Sequence, residues 1–134
     1  MPPEHYSPGC PENWLLYAQS DLALASIEPP PGVLLDALCY HAQQSTEKAL
    51  KAVLVAWKVN FPPTHNLKIL LELLPDDLAI PDQVIQSASL TIYAVALRYP
   101  DALGPVMERS EWQEALTLAK AVVEWAEEVV TRFD

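Results

Sequence analysis

Residues 33–59 read VLLDALCYHAQQSTEKALKAVLVAWKV, a stretch without proline or glycine, bracketed by Pro31-Gly32 before it and Asn60-Phe61-Pro62-Pro63 after it. Its Ala, Leu, Lys, Gln and Glu are good helix formers, and as one helix it would be roughly 40 Å long. Apolar side chains recur at Leu34, Ala37/Leu38, Ala42, Ala49, Val53 and Ala56/Trp57, which turns one side towards a core. The other side carries a polar stripe of His41, Gln44, Ser45 and Lys48 at helical spacing. Next to it lie Gln43, Glu47 and Lys51, with Glu47 placed four residues before Lys51 to pair with it.

Working outward, Pro11 suits the first turn of a preceding helix. Trp14, Ala18, Leu22 and Ala25 form its apolar stripe through residues 11–27, with Tyr17 and Asp21 beside that stripe. Residues 1–9 read as an irregular, proline-rich arm. Pro29-Pro30-Pro31-Gly32 reverses the chain, so the two helices make an antiparallel hairpin. Downstream, Pro62-Pro63 forbids continuation. A short helix over Asn66–Leu74 follows, and then a third long helix from about Pro81-Asp82 to Arg98, packing through Val84, Ala88, Thr91/Ile92 and Val95. The last helix has the clearest period: Trp112, Ala115, Leu116, Ala119, Val122, Val123, Ala126, Val129, Val130 and Phe133 follow a seven-residue repeat. Ser110 and Gln113 suggest a capping box at its start, and glutamates fill its outer side. Trp125 falls off the main stripe and suggests a contact surface. The expectation is one all-α domain over residues 1–134, an antiparallel up-and-down four-helix bundle with an additional short helix.

Composition narrows the function classes. A chain of 134 residues that is 51% hydrophobic builds a single core. A net charge of −10 opposes loose attraction to nucleic acid or to an anionic membrane. Two cysteines are too few for a disulfide framework, and neither a leader nor an apolar span of membrane length is visible, so a cytoplasmic protein is expected. Metal-ligand spacings and glycine-rich phosphate loops are absent from the sequence, and neither a metal nor a cofactor is expected.

Tyr40-His41-Ala42-Gln43-Gln44-Ser45-Thr46-Glu47-Lys48-Ala49-Leu50-Lys51-Ala52 resembles the signature helix of the HEPN domain family of helical nucleotide-binding domains. The resemblance extends to Trp14, Ala18, Asp21 and Leu22, to Thr64-His65-Asn66-Leu67, and to Arg98-Tyr99-Pro100-Asp101. Read from the residues alone, His41 is either a proton carrier or a hydrogen-bonded bundle histidine, and Glu47, Lys48 and Lys51 are either phosphate contacts or a solvated face with one intrahelical pair. His65 either points into the same cleft or fixes its own loop. The resemblance implies that His41, Gln44, Glu47, Lys48, Lys51, His65 and Arg98 line a polar cleft receiving a nucleotide or a partner. It also implies a homodimer acting with a small nucleotidyltransferase in a toxin–antitoxin type pair.

The ribonuclease branch of that family uses an arginine followed, four to six residues on, by a histidine. Here Arg98 is followed by Tyr99-Pro100-Asp101-Ala102-Leu103-Gly104-Pro105, and no histidine occurs after His65. The resemblance therefore favours a non-catalytic component. The alternatives are a ribonuclease toxin working through Arg98 with Tyr99 or His41 on RNA, and a ligand-free dimeric scaffold.

Overall fold

The computed structural model describes residues 9–96 and 107–133, and among these every regular element is helical. Helix α1 spans Pro11–Ala25, α2 Leu35–Ala56, α3 Leu67–Glu72, α4 Asp82–Gln86, α5 Ile92–Ala96 and α6 Arg109–Thr131, with a 3-10 helix, Ser87–Thr91, between α4 and α5. The bundle expected from the periodicity is present.

Helix α2 is its axis. It packs most extensively on α1, then on α6, and also meets α3, α5 and the 3-10 segment. Leu38, Cys39, Ala42, Ala49, Leu50, Ala52, Val53, Leu54 and Ala56 are all buried, so α2 has core on several sides. From α1 come Leu15, Ala18 and Ala25, and from α6 Trp112, Ala115, Ala119, Val122, Val123, Trp125, Ala126, Val129 and Val130. Alanines make up much of what these three helices bury, and Trp112 Nε1–H reaches from α6 to Ala25 O of α1 at 2.8 Å.

Each boundary has a local cause. Pro11 stands in the first turn of α1, where no amide partner is lost. The turn into α2 places Pro31-Gly32 at its centre, with Gly32 at φ 87° and Val33 N–H donating to Pro30 O at 3.0 Å. That is the type II pattern, in which glycine supplies the positive φ. Helix α2 stops before Val59, the end expected from the sequence. Lys58 takes a left-handed conformation, φ 59°, and the Val59 and Lys58 amides donate back to Leu54 O and Val55 O at 2.9 and 3.0 Å. Those two bonds form a Schellman cap without its usual glycine.

The expected third long helix is interrupted. Val84, Ser87 and Leu90 are buried at intervals of three, and the backbone between α4 and α5 adopts the three-residue turn that stacks such positions in line. The α6 cap also differs from expectation. The helix begins at Arg109, and the Glu111 carboxylate, not Gln113, reaches back to the Glu108 amide at 2.9 Å. Trp125 is not a surface marker: it is 7% exposed and its Nε1–H donates to Ala79 O at 3.2 Å. The stripe on α6 is wider than the sequence pattern suggested, and the segment around Ala79, which leads into α4, meets Trp125 on that flank.

Candidate functional site

The polar residues of α2 divide into two clusters at different depths. The inner one centres on Glu47. Its Oε2 accepts from Lys51 Nζ at 2.9 Å, and its Oε1 from His65 Nδ1 at 2.9 Å and Gln43 Nε2 at 3.2 Å. Gln43 Nε2 also donates to the His65 carbonyl at 3.1 Å, so side chain and backbone of His65 are both held against α2. Gln44 Nε2 donates to Gln43 Oε1 at 2.7 Å. The Glu47 and Lys51 side chains are 5% and 8% exposed. The Lys51 ammonium also lies 5.6 and 5.5 Å from the Trp14 and Phe61 ring centres, a cationic head on two aromatic faces. Burial pushes the Glu47 carboxyl up, but Lys51 and His65 outweigh it and hold the group below its usual value.

The Glu47–Lys51 pair thus forms as its spacing predicts, but not on a solvated face. Trp14 from α1 and Phe61 from the following loop cover it. His65 remains about half exposed, with its Nδ1 held against the carboxylate.

The outer cluster joins α1 to α2. Asp21 Oδ2 accepts from Lys48 Nζ at 2.6 Å, and its Oδ1 meets His41 Nδ1 at 3.2 Å. Side-chain exposures of 15% for Asp21, 31% for His41 and 26% for Lys48 put the cluster at the surface without leaving it loose. The Tyr40 ring stands edge-on to the imidazole, with centroids 5.4 Å apart. Leu34, His41, Lys48 and Val55 recur every seven residues, so they form one strip along α2, with Gln44 beside it. On α1, Tyr17 and Leu24 lie one turn either side of Asp21 and are exposed.

The structure therefore brings His41 and Lys48 together, with Gln44 one turn away. It places Glu47 and Lys51 beneath the surface and ties His65 to them. Arg98 and Tyr99 lie outside the described residues. Ser45, read as part of the outer stripe, is buried and donates to Ala42 O at 2.8 Å. Two contributors are missing from the residues that the sequence nominates for the site, Asp21 and Gln43. Asp21 carries a signal: a carboxylate flanking the apolar stripe of the helix that packs against a His/Lys stripe. Gln43 carries none beyond its position one turn before Glu47.

Chemically, the outer cluster offers an oriented imidazole and an ammonium, and the inner one a buried ion pair that stiffens α2 beneath them, with the Gln44 amide tied to it through Gln43 and Glu47. Cys39 adds no nucleophile, because burial pushes its thiol up to about 12, with the Asp36 and Glu111 charges acting in the same direction. Among the described residues no group of three or more His, Cys, Asp or Glu side chains is arranged to hold a metal, and no helix is long and apolar enough to cross a membrane.

Comparison with known proteins bears on this arrangement. The model of the HEPN domain family matches residues 11–129. Among solved structures, the chain is similar to the crystal structure of TT1696 from Thermus thermophilus. The two share 32% identity with a TM-score of 0.77, over 89% of this chain and 97% of that one. None of the curated proteins matches.

Proposed function

The chain belongs to the HEPN domain family, and on that premise we propose that it acts by binding, as a non-catalytic component that contacts a nucleotide or a small nucleotidyltransferase partner in a toxin–antitoxin type pair. One observation carries this reading: α2 is enclosed along most of its circumference, and its open strip presents His41 and Lys48 already ordered by Asp21, with the Gln44 amide beside them held by Gln43 and Glu47. Ordered polar heads lose little freedom when a ligand arrives, which is what a binding surface requires. Glu47, Lys51 and His65 serve this strip from beneath by holding α2 and the loop that follows it. On a chain of net charge −10, His41 and Lys48 also supply a local site for a partner's polar group.

The test separates binding from folding. Gln44→Ala and Lys48→Ala are titrated calorimetrically with AMP, ATP and a small nucleotidyltransferase, alongside thermal unfolding. The reading expects unfolding temperatures close to the parent and binding weakened in both. Lower unfolding temperatures with unchanged binding overturn it. Exposed Tyr17, Leu24, Ile27 and Leu34 give the same surface an apolar margin suited to a homodimer, and light scattering at tens of micromolar decides that point.

A second reading has a specific observation behind it. An Asp carboxylate on the Nδ1 of a partly exposed histidine orients the ring for proton transfer, which suits a ribonuclease that uses His41 with Arg98 or Tyr99. RNA cleavage by the purified protein that disappears in both His41→Ala and Arg98→Ala would favour this reading over the first.

A further inference from the structure

The binding strip is organised by a residue on the other helix. We propose that Asp21 is the positioning residue of this site, fixing His41 in the tautomer that carries its proton on Nδ1, so that the neutral ring presents Nε2 outward as an acceptor. The group that docks there is then a hydrogen-bond donor, a hydroxyl or amino group such as a nucleoside carries, and not a phosphate oxygen. This rests on the reading of the strip as a binding surface.

An ionised carboxylate only accepts, so the contact between Asp21 Oδ1 and His41 Nδ1 at 3.2 Å requires the hydrogen to sit on Nδ1. A neutral imidazole has one N–H, and placing it on Nδ1 leaves Nε2 as a lone pair. Among the described residues Nε2 has no hydrogen-bond partner, and the side chain is 31% exposed. The ammonium beside it is already engaged: Lys48 Nζ sits 2.6 Å from the second oxygen of the same carboxylate. With Asp21 and Lys48 charged and His41 neutral, the cluster is formally uncharged and its outward atom accepts, a poor match for a phosphate oxygen. Tyr40, edge-on at 5.4 Å, limits rotation of the ring away from this orientation.

Replacing Asp21 by asparagine gives an outcome that a merely structural role would not. Lys48 only donates, so it takes the single amide oxygen of Asn, and the amide NH2 then faces His41 Nδ1. That nitrogen must become the acceptor, and the proton moves to Nε2. The experiment is histidine 15N nuclear magnetic resonance at a pH well above the ordinary imidazole pKa of about 6.5. The His41 resonance is assigned by its loss in His41→Ala. Expected are protonation at Nδ1 in the parent protein, protonation at Nε2 in Asp21→Asn, and unchanged unfolding temperatures. A parent His41 protonated at Nε2, or no change of tautomer in Asp21→Asn, overturns the proposal.

The ligand class is read from the same resonance, by adding adenosine or inorganic phosphate at equal concentration. The Nε2 signal is expected to shift with adenosine and stay in place with phosphate. Asp21→Asn is expected to weaken adenosine binding about tenfold, the worth of one hydrogen bond turned into a donor–donor clash. A shift produced by phosphate alone overturns the assignment of ligand class. No response to either probe counts against nucleoside binding at the strip and therefore against the broader reading, while the tautomer measurement still decides the role of Asp21.

Discussion

Lys51 Nζ lies 2.9 Å from Glu47 Oε2 with both side chains more than nine-tenths buried, and the same ammonium rests on the Trp14 and Phe61 rings. Two charges taken out of water are tolerated here because each has the other and further partners as well. Removing one leaves the other uncompensated, which costs about 3–5 kcal/mol. Lys51→Met is therefore expected to lower the unfolding free energy by an amount in that range, measured by urea titration. The double substitution Glu47→Leu with Lys51→Met should recover most of the loss, since an apolar pair of similar volume leaves no stranded charge.

Stability should fall in mild acid, with Glu47 as a principal cause. Its carboxyl is held below its usual value in the folded state by Lys51 and His65, against the upward push of burial. The unfolded chain therefore takes up the proton first, at about pH 4.3. The stabilisation is present in full above that pH and is lost as pH falls towards the folded-state pKa. Urea unfolding measured from pH 6 to pH 3 should show the decline, and Glu47→Gln, which has no carboxyl to titrate, should flatten it from a lower starting stability.

The two cysteines should behave differently towards a thiol reagent. Cys10 is exposed, whereas Cys39 is fully buried with its thiol pushed up to about 12. A colorimetric thiol assay is expected to find one reactive group in the native protein and two in denaturant, and Cys10→Ser should abolish the native reaction.

Lys58 offers a stabilising substitution. Its φ of 59° costs a side-chain-bearing residue about 1–2 kcal/mol, and glycine escapes that cost at the expense of about 0.5–1 kcal/mol of unfolded-chain entropy. Lys58→Gly is expected to raise the unfolding free energy by about 0.5–1 kcal/mol. Lys58→Val should lower it, since a branched side chain tolerates the conformation worst.

The bundle was legible because its causes are periodic. The seven-residue repeat of α6 and the apolar side of α2 announce which residues turn inward, and the proline clusters announce where helices end. The misreadings came from features that a one-dimensional pattern does not carry. Lys58 caps α2 in a conformation normally signalled by glycine. The burial of Val84, Ser87 and Leu90 at steps of three includes a serine that hides its hydroxyl on Val84 O, and a hydropathy pattern counts that serine as polar. Trp125 reads as peripheral because the neighbour that takes its indole N–H, Ala79, comes from a distant part of the sequence.

The site was legible as a set of residue types but not as depths. His41, Gln44, Glu47, Lys48 and Lys51 share one half of a helix, and spacing alone cannot say which of them another element covers. Phe61 and Trp14 decide it by closing over Lys51. Asp21 shows the complementary lesson: a site bridging two helices is invisible to periodicity within either one.

The enclosure of α2 also has a consequence for biosynthesis. One of its walls, α1, leaves the ribosome before it, while another, α6, follows only after α3, α4, the 3-10 segment and α5. In the interval the nascent chain holds a hairpin whose long second arm still lacks the cover of α6. Translation speed across that gap, and the chaperones that meet the waiting surface, thus enter the yield of folded protein. Synonymous codon changes that slow this interval should lower soluble expression without altering a single residue.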